Sequence, residues 1–152
     1  MKQSVLVRLL FLSILVTACA SWRADEKTSE ICFYQGSYQQ ALAEAKNEGK
    51  LVFIDAYTTW CGPCKMLAKN TFTDKGVANY YNEHFINLEV DVEHGEGLKL
   101  AEKYKVTHYP TLIIADADGK RITFTVGYII PEDMLDFGQY GVQQHCPELS
   151  NN

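Results

Sequence analysis

The sequence predicts a single α/β domain built on one sheet. Two apolar runs without alternation, 51–57 and 111–115, are typical of strands buried on both faces. Segments with helical spacing separate these runs, and an alternating segment follows the second one. A length of 152 residues, with 47% apolar and 22% charged residues, is ordinary for one globular domain.

The first half of the domain alternates helix and strand. Ser37 is a residue type that caps helices, and Gly49 can end the helix that it opens. One face of this helix carries the apolar side chains Tyr38, Ala41, Leu42 and Ala45. After the strand at 51–57, a second helix is predicted over about 63–72, because the fixed φ of Pro63 suits a first turn.

The next elements are a helix and a half-exposed strand. Residues 75–85 have helical spacing that groups Val77, Tyr80, Tyr81 and Phe85. Residues 88–93 then alternate between apolar and acidic side chains, namely Leu88, Val90 and Val92 against Glu89, Asp91 and Glu93. Two glycines precede a short helix predicted over about 97–104.

The second half ends in a hairpin and a helix. Residues 116–119 form a turn after the strand at 111–115, and residues 122–126 alternate as its hairpin partner. Pro131, followed by Glu132 and Asp133, is typical of the first turn of a helix.

The N-terminus has the features of an export signal. Lys2 and Arg8 accompany an apolar run at 9–16, which is shorter than the ~20 residues that span a bilayer. The run ends in Val16-Thr-Ala-Cys19, which resembles a bacterial lipobox and implies a lipid on Cys19. An ordinary cleaved signal with an incidental Cys19, or an uncleaved anchor, are the alternatives.

The chain is therefore divided into four parts. Residues 1–18 are a lipoprotein-type signal peptide, 19–35 a polar tether, 36–145 the folded domain and 146–152 a C-terminal tail. Without the two cations of the leader, 12 basic and 19 acidic residues leave a net charge of −7. This balance argues against nucleic acid as a partner, because phosphate binding needs a basic patch.

The motif that carries chemistry is Trp60-Cys61-Gly-Pro-Cys64-Lys65. It lies at a strand-to-helix junction, where unpaired N–H groups and the helix dipole lower the pKa of the Cys61 thiol below its usual value of about 8.5. Cys64 is one turn further on and can attack a mixed disulfide on Cys61, while Gly62 leaves space for a partner. A structural disulfide and half of a zinc site are the alternatives, although no second Cys-x-x-Cys pair exists and the histidines are scattered (His84, His94, His108 and His145).

The segment 55–65 closely resembles the active-site segment of thioredoxin. Two further matching pieces lie at 106–114 and 126–127, so that the resemblance to the thioredoxin superfamily covers about residues 36–140. It implies the thioredoxin fold, in which helices flank a central mixed sheet. It also implies a protein-disulfide oxidoreductase that needs no cofactor beyond its own redox-active disulfide.

The resemblance assigns a role to Asp55. A carboxylate inside so apolar a strand is costly to bury in its charged form, so its pKa should rise. In the resembling family this position serves proton transfer at the second cysteine, here Cys64. The family's accompanying lysine is absent, with Asn87 at the corresponding position. The alternative is an Asp that points to solvent from the strand end.

The resemblance also implies a substrate-binding surface. It predicts a cis bond between Tyr109 and Pro110, with the backbone of Tyr109 free to pair with an extended substrate. Trp60 and Tyr109 would form an apolar rim, and the remaining substrate-binding positions are Gly62, Pro63 and Gly127. The plain alternatives are an ordinary strand-start proline, simple aromatic packing and a bulge glycine.

Cys32 and Cys146 flank the predicted domain. A disulfide between them is one interpretation for an exported chain, but two separate cysteines are favoured. His108 is interpreted as a surface or packing residue.

These features together predict a membrane-tethered thiol–disulfide oxidoreductase of the bacterial envelope. Cys61 would attack the disulfide of a protein substrate, and Cys64 would resolve the mixed disulfide that forms. Reduction of the substrate is the favoured direction. A membrane electron-donor protein would then be needed. The alternatives are a net disulfide oxidase, or a binding or chaperone-like lipoprotein that uses the cleft without turnover.

Overall fold

The computed structural model describes residues 29–145. The predicted signal peptide, the predicted lipid-attachment residue Cys19, most of the predicted tether and the C-terminal tail lie outside this range. Within 29–145, the structure contains no helix that is both long enough and apolar enough to cross a bilayer.

Five α-helices and four strands make up the described chain. The helices are α1 (Tyr38–Glu48), α2 (Gly62–Met66), α3 (Lys75–His84), α4 (Gly97–Tyr104) and α5 (Pro131–His145). The strands are β1 (Leu51–Tyr57), β2 (Phe85–Asp91), β3 (Thr111–Ala115) and β4 (Arg121–Val126). A π-helical turn, Leu67–Thr71, continues directly from α2.

The strands form one mixed sheet in the order β2-β1-β3-β4. β1 runs parallel to β2 and antiparallel to β3, and β3 pairs with β4 as an antiparallel hairpin. In this register Asp55 of β1 lies opposite Glu89 on one side and Leu112 on the other. The fold class predicted from the sequence, a mixed sheet flanked by helices, is confirmed.

An apolar cluster covers each face of the sheet. One joins α1 and α4 to the sheet through Tyr38, Ala41, Leu42, Ala45, Leu100 and Tyr104. The other joins the segment from α2 to α3, together with α5, to the opposite face through Leu67, Phe72, Val77, Tyr81 and Met134. Asp55 shares its face of β1 with Phe53 of this second cluster, because side chains two residues apart point the same way.

The helix predicted over about 63–72 is present, but its second half is a π turn instead of α-helix. After Met66 the chain widens into the π turn, and the N–H of Phe72 donates to the carbonyl of Leu67 at 2.9 Å. This five-residue spacing lets Leu67, Thr71 and Phe72 all lie buried against the sheet. The Thr71 hydroxyl also donates to the Ile129 carbonyl at 2.8 Å, which ties the turn to the loop before α5.

The boundary between α3 and β2 also differs from the prediction. Phe85 adopts extended backbone and pairs with Leu51, so it begins β2 instead of ending the helix. β2 is buried over its first four residues, with Asn87 facing the second apolar cluster, and only Glu89 is exposed within it. The alternation recognised in the sequence therefore describes the C-terminal half of this strand alone.

Candidate active site

The two cysteines lie at the start of α2, where the chain leaves the central strand. Cys61 caps the helix, and its Sγ accepts a hydrogen bond from the backbone N–H of Cys64 at 3.1 Å. The two sulfurs form a disulfide with an S–S distance of 2.05 Å and a Cα–Cα distance of 5.3 Å. Within residues 29–145, no third His, Cys, Asp or Glu side chain joins them in a cluster that could hold a metal.

Exposure does not separate the two cysteines, because Cys61 is 3% exposed and Cys64 is 5% exposed. Position separates them. Cys61 is at the electropositive end of the helix, where a thiolate is favoured. Cys64 lies inside the first turn and lines a cavity that Asp55 also lines. Gly62 is exposed between them, and a Cβ added to it would meet no atom within 4 Å, so a partner's backbone can approach on that side.

Trp60 and Tyr109 meet beside the disulfide as an aromatic rim. Their rings pack edge to face, with centroids 5.8 Å apart at an angle of 84°. Trp60 is 64% exposed, so its ring is available to a partner as well as to Tyr109. Its indole N–H donates to the carboxylate of Glu93 at 2.9 Å. The sequence alone assigns no role to Glu93, because the alternation of residues 88–93 does not indicate a contact with Trp60.

The loop that carries Tyr109 has the predicted backbone. The Tyr109–Pro110 bond is cis, as expected from the resemblance. The Pro110 carbonyl accepts a hydrogen bond from the N–H of Gly127 at 2.8 Å. Gly127 has φ of +94°, which L-residues rarely adopt, and open space where a Cβ would lie. The backbone conformation alone therefore accounts for glycine at this position.

Asp55 is buried in the middle of β1 and is only 2% exposed. The alternative of an Asp pointing to solvent is wrong. Asp55, Thr58 and Cys64 line a cavity of about 230 Å³, which also reaches Lys65 and Glu89. No donor within residues 29–145 reaches the Oδ1 atom of Asp55. Burial, with a second contribution from the negative charge of Glu89, raises the pKa of Asp55 to about 8.

The neighbour of Asp55 on β2 is Glu89, whereas Asn87 lies opposite Phe53. The side-chain amide of Asn87 donates instead to the Tyr81 and Cys32 carbonyls, at 3.5 and 3.4 Å. Asn87, the position that corresponds to the family's lysine, therefore lies two residues along the strand from the direct partner of Asp55. Alternation in the sequence placed Glu89 correctly on an exposed position, but the pairing register of β1 and β2 could not be read from either strand alone.

Two of the remaining predicted residues, Cys32 and His108, are exposed in the described part of the chain. Cys32 is exposed, and its N–H donates to the side chain of Asn82 at 2.8 Å. Cys146 lies beyond the described range, so the alternatives for this pair stay open. His108 is exposed with its Nδ1 atom 2.9 Å from the Thr107 hydroxyl, which fits a surface residue.

The site combines three features around one sheet. These are a bonded Cys-x-x-Cys pair at a helix start, a neighbouring loop with a cis-proline, and a buried Asp55. A family model described as a thioredoxin-like domain matches residues 38–141. The chain belongs to this thioredoxin-like family. With its bonded cysteine pair, this thioredoxin-like chain is a protein-disulfide oxidoreductase.

Individual relatives agree with this assignment. Thioredoxin-2 of Saccharomyces cerevisiae is 40% identical over 90 residues, covering 59% of this chain and 77% of that protein. The thiol:disulfide interchange protein DsbD of Vibrio vulnificus is 34% identical over 112 residues, covering 67% of this chain but 19% of DsbD. The solution structure of a candidate disulphide-isomerase from Bacteroides thetaiotaomicron is 43% identical with a TM-score of 0.68, covering 76% of this chain and 96% of that one.

Replacing Asp55 with Asn should change the pH dependence of stability. The folded-state pKa of Asp55 is raised to about 8 from 3.8. The protonated carboxyl therefore contributes to the free energy of unfolding fully below about pH 4, and this contribution is lost as the pH rises through 8. The free energy of unfolding of Asp55→Asn, relative to that of the unsubstituted protein, should therefore increase by on the order of 5 kcal/mol between pH 4 and pH 8. Urea unfolding of both oxidised proteins between pH 4 and 9 measures it.

The matched control is Asp118→Asn, which removes an exposed carboxylate. Its difference in unfolding free energy from the unsubstituted protein should change little with pH, since exposed charges contribute little. A difference for Asp55→Asn that is equally flat would contradict the buried, protonated state of Asp55.

Proposed function

We propose that the chain is an exported, lipid-anchored reductase of protein disulfides, with Cys61 as the attacking cysteine and Cys64 as the resolving one. The observation that carries the proposal is the shared arrangement of the disulfide and the acid. Cys61 caps α2, while Cys64 and the buried Asp55 line one cavity. Each sulfur therefore has the surroundings that its step requires.

The first step uses the reduced pair. The Cys61 thiolate attacks one sulfur of a substrate disulfide, forms a mixed disulfide and releases the other substrate sulfur as a thiolate, which takes a proton from solvent. The helix dipole and the N–H of Cys64 favour the negative charge on the Cys61 sulfur. Cys64 remains a thiol during this step.

The second step closes the Cys61–Cys64 disulfide. Cys64 transfers its proton to the ionised carboxylate of Asp55 and attacks the Cys61 sulfur, and the substrate leaves as its second thiolate. Two electrons have then passed from the cysteine pair to the substrate. A carboxyl with a pKa of about 8 is close to the usual thiol value of about 8.5, so the proton can pass in either direction with little loss of free energy.

The substrate would lie across the rim and the cis-proline loop. Trp60 offers an exposed apolar ring, and Gly62 and Gly127 have open space beside their backbones. An extended substrate segment could then pair with the backbone of Tyr109, with the scissile disulfide held over Cys61. Pro63 and Pro110 give the two sides of this surface a fixed backbone.

Reduction is favoured because the Gly-Pro dipeptide between the cysteines matches thioredoxin, whose potential is about −270 mV. Relatives described as thiol:disulfide interchange proteins support exchange between protein thiols and disulfides. Outside the cytoplasm the pair would need re-reduction, which calls for a membrane protein as electron donor. The leader-like N-terminus and Cys19 support an anchored position in the cell envelope.

Substitution of the resolving cysteine should trap the intermediate. Cys64→Ser should accumulate mixed disulfides with insulin through Cys61, visible by non-reducing electrophoresis and released by dithiothreitol. Cys61→Ser should give none and should lower insulin reduction to the rate of dithiothreitol alone. Adding Cys32→Ser to Cys64→Ser should leave trapping unchanged. Absence of any trapped species would favour a binding protein that uses the cleft without turnover.

The reduction potential of the Cys61–Cys64 couple should be near that of thioredoxin, about −270 mV. Equilibration with dithiothreitol or glutathione buffers, followed by thiol alkylation and mass spectrometry, measures it. A potential near the −120 mV of a strong oxidant would instead select a net disulfide oxidase.

Replacement of Cys19 should release the protein from the membrane. In a bacterial host, the unsubstituted protein should fractionate with membranes and need detergent for extraction, because several acyl chains anchor stably. Cys19→Ser should lose this association, while Cys32→Ser should keep it. Equal fractionation of Cys19→Ser and the unsubstituted protein would point to an ordinary leader or an uncleaved anchor.

A further inference from the structure

Asp55 and Glu89 form a pair of carboxyl groups across the β1–β2 boundary. They are direct partners in the parallel register, and adjacent strands lie about 4.8 Å apart. Both side chains line the 230 Å³ cavity that also contains Cys64. The pair differs in solvent contact, because Asp55 is 2% exposed whereas Glu89 is exposed at the sheet edge.

We propose that Glu89 is a positioning residue, whose carboxylate takes the negative charge of this pair and thereby holds buried Asp55 as the protonated member facing Cys64. The inference rests on the proposed role of Asp55 in proton transfer. Glu89 would not touch the reacting sulfurs. It would act only through the location of the proton.

The surroundings of the pair favour this division. Two close carboxyl groups do not readily ionise together, and the negative charge goes to the member with more water around it. Around Asp55 the structure also places the apolar Leu112 on β3, the side chains of Tyr57 and Thr58, and Lys65 on α2. Lys65 is the cation among them, and it is exposed, so solvent screens its effect on Asp55.

Glu89 is charged while Asp55 titrates, because the negative charge of Glu89 is the second cause of the raised pKa of Asp55. Burial raises the pKa of Tyr57, with further contributions from the charges of Glu89, Asp91 and Asp55. Partial burial raises the pKa of Glu89 as well, but Glu89 is far more exposed to water than Asp55. The two carboxyl groups therefore titrate as a coupled pair, with Glu89 losing its proton first.

The protonated Asp55 has a defined use when a donor reopens the disulfide. A donor thiolate attacks the Cys61 sulfur, the Cys61–Cys64 bond breaks, and the Cys64 sulfur leaves with the electron pair. The Asp55 proton passes to Cys64, which becomes a thiol, and Asp55 becomes a carboxylate. When Cys64 later attacks Cys61, the same proton returns to Asp55, and Glu89 keeps its charge throughout.

The test measures the Asp55 carboxyl directly by carbon NMR titration of the oxidised protein. Glu89→Gln, which has nearly the same shape without the charge, should lower the Asp55 titration midpoint by about one pH unit. Glu89→Asp should retain most of the high midpoint. Glu102→Gln, which removes an exposed charge on α4, should leave the midpoint where it is in the unsubstituted protein. Equal midpoints in Glu89→Gln and Glu102→Gln would overturn the proposal.

A measurement on the unsubstituted protein covers the case in which a Glu89 variant does not fold. The Asp55 carboxyl resonance should show a second, smaller step at the pH where Glu89 titrates. A single step with no response to Glu89 would also overturn the proposal. Because this readout needs no substrate, it can fail while disulfide exchange is intact, and it can succeed in a protein that proves inactive toward insulin.

A kinetic cycle separates positioning from a direct effect. The pH midpoint for opening of the Cys61–Cys64 disulfide by dithiothreitol should fall in Glu89→Gln by the same shift as the NMR midpoint. In an Asp55→Asn background, Glu89→Gln should cause no further shift. Equal shifts in both backgrounds would mean that Glu89 does not act through Asp55.

Discussion

The central position of β1 is the constraint on which the active site depends. β1 is hydrogen-bonded to β2 on one side and β3 on the other, so its backbone cannot move without breaking two ladders. The strand ends at Tyr57 and α2 begins at Gly62, which places Cys61 at a helix start directly beyond the sheet. The same strand carries Asp55 inward, so one element sets both the position of the Cys61–Cys64 disulfide and the burial of Asp55.

Burial of a carboxyl group in this strand is a local cost that the rest of the domain offsets. Phe53, on the same face of β1, packs edge to face against Phe72 and Tyr81, with centroids 6.2 and 4.9 Å away. Apolar contacts of this kind stabilise the sheet, so the domain tolerates the few buried side-chain oxygens without a partner in its described part, including the Oδ1 atom of Asp55. The protonated state lowers the cost further, since a neutral carboxyl is less unfavourable to bury than a charged one.

Much of this arrangement could be predicted from the sequence because it depends on local signals. The Ser37 and Gly49 caps, the apolar runs of β1 and β3, and the cysteine spacing each lie within a few residues. The π turn and the start of β2 at Phe85 could not be predicted, because tertiary packing of Phe72 and pairing with Leu51 decide them. The pairing of Asp55 with Glu89 depends on register between strands over thirty residues apart, which no local pattern encodes.

The sign of the charge beside Asp55 decides whether Asp55 holds a proton in the oxidised protein. A cation at that position would favour the ionised carboxyl, whereas a carboxylate and an apolar strand favour the protonated one. In the proposed cycle, opening of the disulfide leaves a negative charge on Asp55 in place of Cys64, next to Glu89 and away from water. That charge is unfavourable there, so Asp55 becomes a base strong enough to take the proton back from a thiol. Under this proposal, the same burial that protonates Asp55 makes the proton transfer between Asp55 and Cys64 reversible.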